Sequence, residues 1–178
     1  MYHSIINIKA IKIGRVRNMA KAVKTNVMRI LESAHIDHEV TEYDVKDGKI
    51  DGESVAAKVG KDVNKVFKTL VTVGKSKENY VFVVPVNKEL DLKKAAHVSG
   101  EKSIEMIHQK DLLKITGYIH GGCSPIGMKK QFKTFIHNSA EDMDKITVSA
   151  GKVGYQVTLS PQELVAFIDG SFADIIKE

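Results

Sequence analysis

Two apolar runs constrain this chain more than anything else in it: KVFKTLVTVG over 65–74 and NYVFVVPV over 79–86, parted only by KSKE. A short polar break between strand-like runs predicts a β-hairpin. Both sides of each run are largely apolar, so a sheet built on this hairpin must be covered on two faces or closed into a barrel. Pro85 cannot donate to a ladder and predicts an edge or a bulge at its position. Lys68 interrupts the apolar pattern. It shares a face with Val66 and Leu70, while Phe67, Thr69 and Val71 point the other way. Its ammonium either snorkels to solvent from a strand end or lines a cleft. In a cleft it would hold an anion or polarise a carbonyl, with a pKa lowered if it is dehydrated.

The remaining segments mix helix and strand. Val27, Ile30, Leu31 and Ala34 recur at helical spacing within 26–34, and HEVTEYDV (38–45) has strand character before the turn-rich KDGKIDG. Short helices are predicted over 54–59, closed by Gly60, and from an Asp91 cap through His97 to Gly100. Further strands are expected near 117–119, 132–136, 145–149 and 154–159, the last alternating Tyr155, Val157 and Leu159 with polar residues. Ser160, Pro161 and Glu163 then form a helix start with the pattern of a capping box, and that helix is expected to stop at Gly170. Several strands in succession favour an α+β fold, a compact mixed β-barrel-like sheet with surrounding helices, over regular βαβ alternation.

Composition narrows the function classes. At 178 residues the chain suits one domain, and no run approaches the ~20 apolar residues of a membrane span. The single cysteine excludes an internal disulfide, and neither zinc-site nor nucleotide-loop spacings occur. These features point to the cytoplasm. The net charge of +5 is concentrated at one end: Lys9, Lys12, Arg15 and Arg17 lie in an acid-free opening segment, and without them residues 19–178 carry only +1. A nucleic-acid site must therefore be a local patch, for which Lys129, Lys130 and Lys133 in MKKQFK are the candidate. Residues 1–18 read as an extension outside the domain, either a basic targeting segment or sequence upstream of a true start at Met19, which is the preferred reading. The domain itself is expected over 19–178.

A second feature is IHGGCSPIG over 119–127. It lacks the second glycine of a GxSxG elbow, and Pro125 restrains Ser124 to extended conformations, so a serine nucleophile is disfavoured. Cys123 has no evident base, because a histidine three residues away in a loop does not make a dyad. The loop offers backbone instead: Gly121 and Gly122 allow close approach of a ligand to main-chain groups and Pro125 stiffens the turn. A tight connection between strands remains the plainer alternative.

Taken together, VFKTLV, VFVVPVNKELDLKKAA, GYIHGGCSPIG and SPQEL resemble, in order and spacing, the YbaK family of aminoacyl-tRNA deacylases, and most closely its Cys-tRNA(Pro) deacylase branch. The resemblance runs from about Lys24 to Ile176. It implies a fold related to the editing domain of bacterial prolyl-tRNA synthetases and hydrolysis, in trans, of the ester joining cysteine to proline tRNA. The family's strand lysine falls on Lys68, followed by Thr69, and its GxxxP loop on Gly121–Pro125, with Gly122 and Ser124 inside it. Tyr43 and Ser139, the latter within the segment Asn138–Ala140, fall where the family places further pocket positions. Lys68 is thus the expected catalytic residue. Tyr43, Thr69, Gly121, Gly122, Ser124, Pro125 and Ser139 are the expected substrate contacts, with no metal and no cofactor. The implied partners are aminoacylated proline tRNA and, given the near-neutral domain, prolyl-tRNA synthetase. A deacylase for another small aminoacyl group such as alanine, or a non-catalytic tRNA- or synthetase-binding module, are the alternative readings.

Overall fold

A computed structural model describes residues 23–178. The expected extension over 1–18 lies outside the described residues. Thirteen elements follow one another: α1 (Asn26–Ser33), β1 (His38–Glu42), α2 (Gly52–Lys58), β2 (Phe67–Gly74), β3 (Asn79–Pro85), α3 (Leu92–Ser99), β4 (Ile104–Met106), α4 (Leu112–Thr116), β5 (Lys133–His137), β6 (Ile146–Ser149), β7 (Tyr155–Leu159), α5 (Pro161–Phe167) and β8 (Ser171–Ala173). The α+β class is as expected. The barrel-like sheet takes the form of two sheets, a five-stranded one in the order β4-β2-β3-β5-β8 and a three-stranded one in the order β1-β7-β6. A single parallel bridge between Val66 and Thr147 joins them, so the barrel does not close.

The hairpin forms in full register, with Lys68 opposite Val84 and Leu70 opposite Phe82. Its two apolar faces are both covered. On one side Phe67, Val71, Val81 and Val83 join a core with Val27 and Leu31 of α1, Leu164 of α5, and Val148, Val157 and Leu159 of the small sheet. On the other, Phe82 and Val84 pack with Phe135, Ala95 and Ala96 of α3 and Ile175, and the Phe82 and Phe135 rings stack at 5.5 Å. Burial of these side chains removes apolar area from water on two sides of one sheet, which fixes its register.

The capping chemistry works as the side chains dictate. Asp91 accepts from the backbone of Lys93 and Lys94, Gly100 closes α3 in the left-handed conformation, and Ser160 accepts from the Glu163 amide. Two expectations need correction. Pro85 marks neither an edge nor a bulge: β3 lies between β2 and β5, and the β5 ladder has already ended at Val83, so the missing N–H breaks no pairing there. The strand expected at 117–119 does not form, because Gly117 at φ +85° ends α4 and Tyr118 turns inward to donate its hydroxyl to the Ile126 carbonyl. Along β7 the alternation is observed, and its polar residues Gln156 and Thr158 are buried as well, Thr158 bonding Thr147 at 2.7 Å.

Candidate active site

The start of β2, the turn before α2, the loop after α4 and the strands β6 and β7 enclose a cavity of about 370 Å³. That is the size of small-ligand sites. Its construction begins at residues 44–52. Lys58 donates to the Asp47 carboxylate at 2.6 Å and to the carbonyls of Asp44 and Lys49, both at 2.7 Å, which pins this loop over the cavity. Asp51 then caps α2, and Gly52 lies so close to Val86 that a Cβ would sit 2.4 Å from its Cγ1. Only glycine lets the helix start rest on that valine.

The Val86 carbonyl is in turn the contact of Lys68, whose Nζ lies 3.4 Å away. No carboxylate pairs with Lys68 within 4 Å among the described residues. Burial pushes its pKa down, against the weaker opposing pull of Glu89 and Glu53. Beside it, the Thr69 hydroxyl oxygen is buried and bonds nothing. Across the small sheet, Gln156 also lines the cavity, and its carboxamide oxygen is likewise buried without a partner. A buried polar atom left unpaired is costly, and two residues carrying one line this cavity.

Of the residues expected from the sequence, Lys68, Thr69, Tyr43 and Gly121 line this cavity together. Gly121 takes φ +82° and its Cα faces Ile50, whose Cδ1 a Cβ would approach to 2.9 Å. Gly122, Ser124 and Pro125 do not line it. Gly122 packs against the backbone of Val153 and Lys152, and Ser124 is wholly buried with its hydroxyl accepting from the Ile126 amide. Pro125 lines a separate depression, and Ser139 is exposed in a 3-10 turn outside the cavity. Cys123 reaches the cavity edge, but burial pushes its thiol up to about 12, so it holds its proton near neutral pH.

Gln156, Ser149, His120, Asp51 and Glu53 complete the polar lining. Sequence reasoning missed Gln156 and Ser149 because a polar residue in a short strand gives no sign of which cavity it will face. Among the described residues, no three His, Cys, Asp or Glu side chains cluster as a metal ion would require, and no helix is long and apolar enough to cross a membrane.

Comparison with known proteins places this cavity in a lineage. Residues 50–167 match the model of the aminoacyl-tRNA editing domain, a span that contains Lys68, Gly121 and Gln156. The chain is 47% identical over 152 residues to EbsC of Enterococcus faecalis, a candidate Cys-tRNA(Pro)/Cys-tRNA(Cys) deacylase, covering 85% of this chain and 93% of that one. It is 27% identical over 121 residues to the proline–tRNA ligase of Shouchella clausii, covering 66% of this chain and 21% of the ligase. A crystal structure described as a candidate trans-editing enzyme for prolyl tRNA synthetase superposes with a TM-score of 0.76 at 23% identity, covering 88% of this chain and all of that one. The chain belongs to the aminoacyl-tRNA editing domain family, in its YbaK-type branch of deacylases that act on aminoacylated tRNA.

Proposed function

We propose that this protein removes cysteine from misacylated proline tRNA by hydrolysing the ester at the tRNA 3′ end. The observation that carries the reading is the convergence, in one cavity of an editing-family chain, of a partly desolvated ammonium with no carboxylate within 4 Å and two residues whose buried oxygens are unpaired. Cysteine and proline are similar in size, and a synthetase pocket separates such residues by only ~1–3 kcal/mol per methylene-sized difference. A second site that recognises cysteine by its polar groups answers that deficit.

An aminoacyl ester is already activated, so orientation and charge stabilisation supply most of what hydrolysis needs. In this reading the Gln156 carboxamide oxygen accepts from the substrate's ammonium and the Thr69 hydroxyl bonds the aminoacyl group. Lys68 holds the terminal ribose-phosphate or the developing oxyanion. Gly121 lets the ligand approach the loop backbone. The nucleophile is the substrate's own thiol: it loses its proton to water and its sulfur adds to the ester carbonyl. The carbonyl–oxygen bond to the ribose then breaks, the 3′ oxygen takes a proton, and water opens the cyclic thioester to free cysteine. No protein nucleophile takes part, in keeping with the raised Cys123 pKa.

The reading implies the cytoplasm, where charged tRNA is made, and selection of proline tRNA with the help of prolyl-tRNA synthetase. The test is single-turnover hydrolysis of Cys-tRNA(Pro), Cys-tRNA(Cys), Ala-tRNA(Pro) and Pro-tRNA(Pro) by the purified protein. Cysteinyl esters are expected to be cleaved on both tRNAs, because the cavity reads the aminoacyl group, while Ala- and Pro-tRNA(Pro) persist. Preference for Ala-tRNA(Pro) would move the assignment to an alanine deacylase. Absence of turnover on all four would leave a binding module.

A further inference from the structure

The cavity shares a wall with a stretch of distinctive charge. From Leu112 to Ala140 the sequence contains no aspartate or glutamate, yet it includes Lys114, Lys129, Lys130 and Lys133. Residues 23–178 are neutral overall, since Lys9, Lys12, Arg15, Arg17 and Lys21 account for the chain's +5. The stretch is therefore +4 and the remainder of the described residues −4. All four lysines are exposed, and none lies within 4 Å of a carboxylate among the described residues. Asp169 is the acid that shares a concavity with Lys133.

The chain holds these lysines in place through their stems. Lys129 runs over Gly117, where a Cβ would stand 3.3 Å from its Cγ, and its ammonium reaches the Lys114 carbonyl at 3.3 Å. The Lys130 ammonium sits 5.2 Å from the Phe132 ring centre and that of Lys133 5.5 Å from Phe135. Lys130 also rims a second depression of about 260 Å³, whose lining includes Pro125, Gly127, Met128 and Phe132. One continuous segment thus contributes Leu112, Gly121 and Cys123 to the cavity and, a few residues on, Pro125 and Lys130 to this depression.

We propose that the acid-free wall carrying Lys114, Lys129, Lys130 and Lys133 is the docking face for the tRNA acceptor end, its lysines neutralising backbone phosphates while the 3′ terminus enters the Lys68 cavity. The inference rests on the deacylase reading above. Charge complementarity selects the occupant: the substrate bound in the cavity is tethered to a polyanion, and the segment adjoining that cavity carries four exposed lysines and no acid, while the remainder of the described residues is net acidic. Lysine contacts of this kind set register and affinity without reading sequence, which leaves choice of the tRNA to another protein.

The test uses the whole protein and a triple variant, Lys129→Gln, Lys130→Gln and Lys133→Gln, in exposed positions that do not line the cavity. Fluorescence anisotropy with labelled, uncharged proline tRNA is followed across a salt series. Its Kd is expected to rise about tenfold or more near 0.1 M salt, and the slope of log Kd against log salt to flatten by about 2–3. KM for Cys-tRNA(Pro) rises in step, with kcat unchanged and turnover of 3′-cysteinyl-adenosine unaltered, because that fragment has no acceptor stem. An unchanged tRNA affinity and salt slope overturn the proposal, including the case in which the variant loses only its response to a synthetase and the face binds protein instead. If the unaltered protein cleaves neither substrate, the deacylase reading fails by itself, and anisotropy still decides the docking face.

Discussion

On one side of the cavity β2 presents Lys68 without a carboxylate partner and Thr69 with a hydroxyl that bonds nothing; on another, the loop over 119–127 has most of its polar groups engaged internally. The Ile126 carbonyl accepts from Tyr118, the Ser124 hydroxyl is used by the Ile126 amide, the Gly122 amide bonds the Ile119 carbonyl, and Cys123 keeps its proton. The strand thus retains bonding capacity for a ligand, whereas in the loop only the His120 side chain does, the Ser124 hydroxyl being already used. A rigid strand can carry unpaired polar groups because its ladder and both packed faces hold it regardless. The loop has no ladder and depends on its own hydrogen bonds for shape.

That contrast breaks most readily at Lys68. Lys68→Met is expected to lower single-turnover deacylation by about a hundredfold or more, the scale of losing a charge-stabilising group. The same change removes a cation whose charged form burial disfavours. A lysine with a folded pKa below its unfolded value destabilises the charged fold, and stability rises as pH climbs from the folded pKa towards the unfolded one. Thermal unfolding near neutral pH should therefore show a Tm equal to or above that of the unaltered protein. Activity should fall as pH rises through the lowered Lys68 pKa. A variant that loses activity and stability together would make Lys68 a structural residue.

Gly121→Ala probes the loop as a shape. At φ +82° the added Cβ costs about 1–2 kcal/mol, and it presses on Ile50 across the cavity mouth. We expect a lower midpoint in urea and roughly a tenfold rise in KM, and a neutral result would show that the loop backbone is not part of the site. Thr69→Val is milder. Its hydroxyl makes no bond in the fold, so stability should hold or improve while deacylation drops several-fold. Equal rates with full stability would take Thr69 out of the site. The smallest effect is Cys123→Ser, expected within about twofold in rate because its thiol, with a pKa of about 12, supplies no nucleophile. Abolished activity in a folded Cys123→Ser protein would reverse the roles of loop and strand.

Much of the fold was readable from local signals. The hairpin, its two-sided burial, the Asp91 and Ser160 caps and the left-handed Gly100 all follow from short-range chemistry that a sequence displays. The three-residue strands β4 and β8 and the five-residue α4 were not, since elements so short carry no periodicity and exist through their neighbours. Lys68 announced itself as a charge on an apolar face. Gln156 did not, because a polar residue alternating along a strand is unremarkable, and only the closure of α2 and the residue 44–52 loop over the small sheet brings it to a cavity.

The sequence by itself thus determined the α+β class, the central hairpin, the lysine at its entrance and a glycine that must adopt a left-handed turn, because each is a local demand on backbone or burial. Tertiary structure decided which groups share the cavity. It brought Gln156 and Ser149 in, left Ser124, Pro125 and Ser139 outside, and set the Cys123 thiol beyond use. Whether a polar atom is left unpaired depends on every chain segment that packs around it, and strand or loop spacing does not encode that sum.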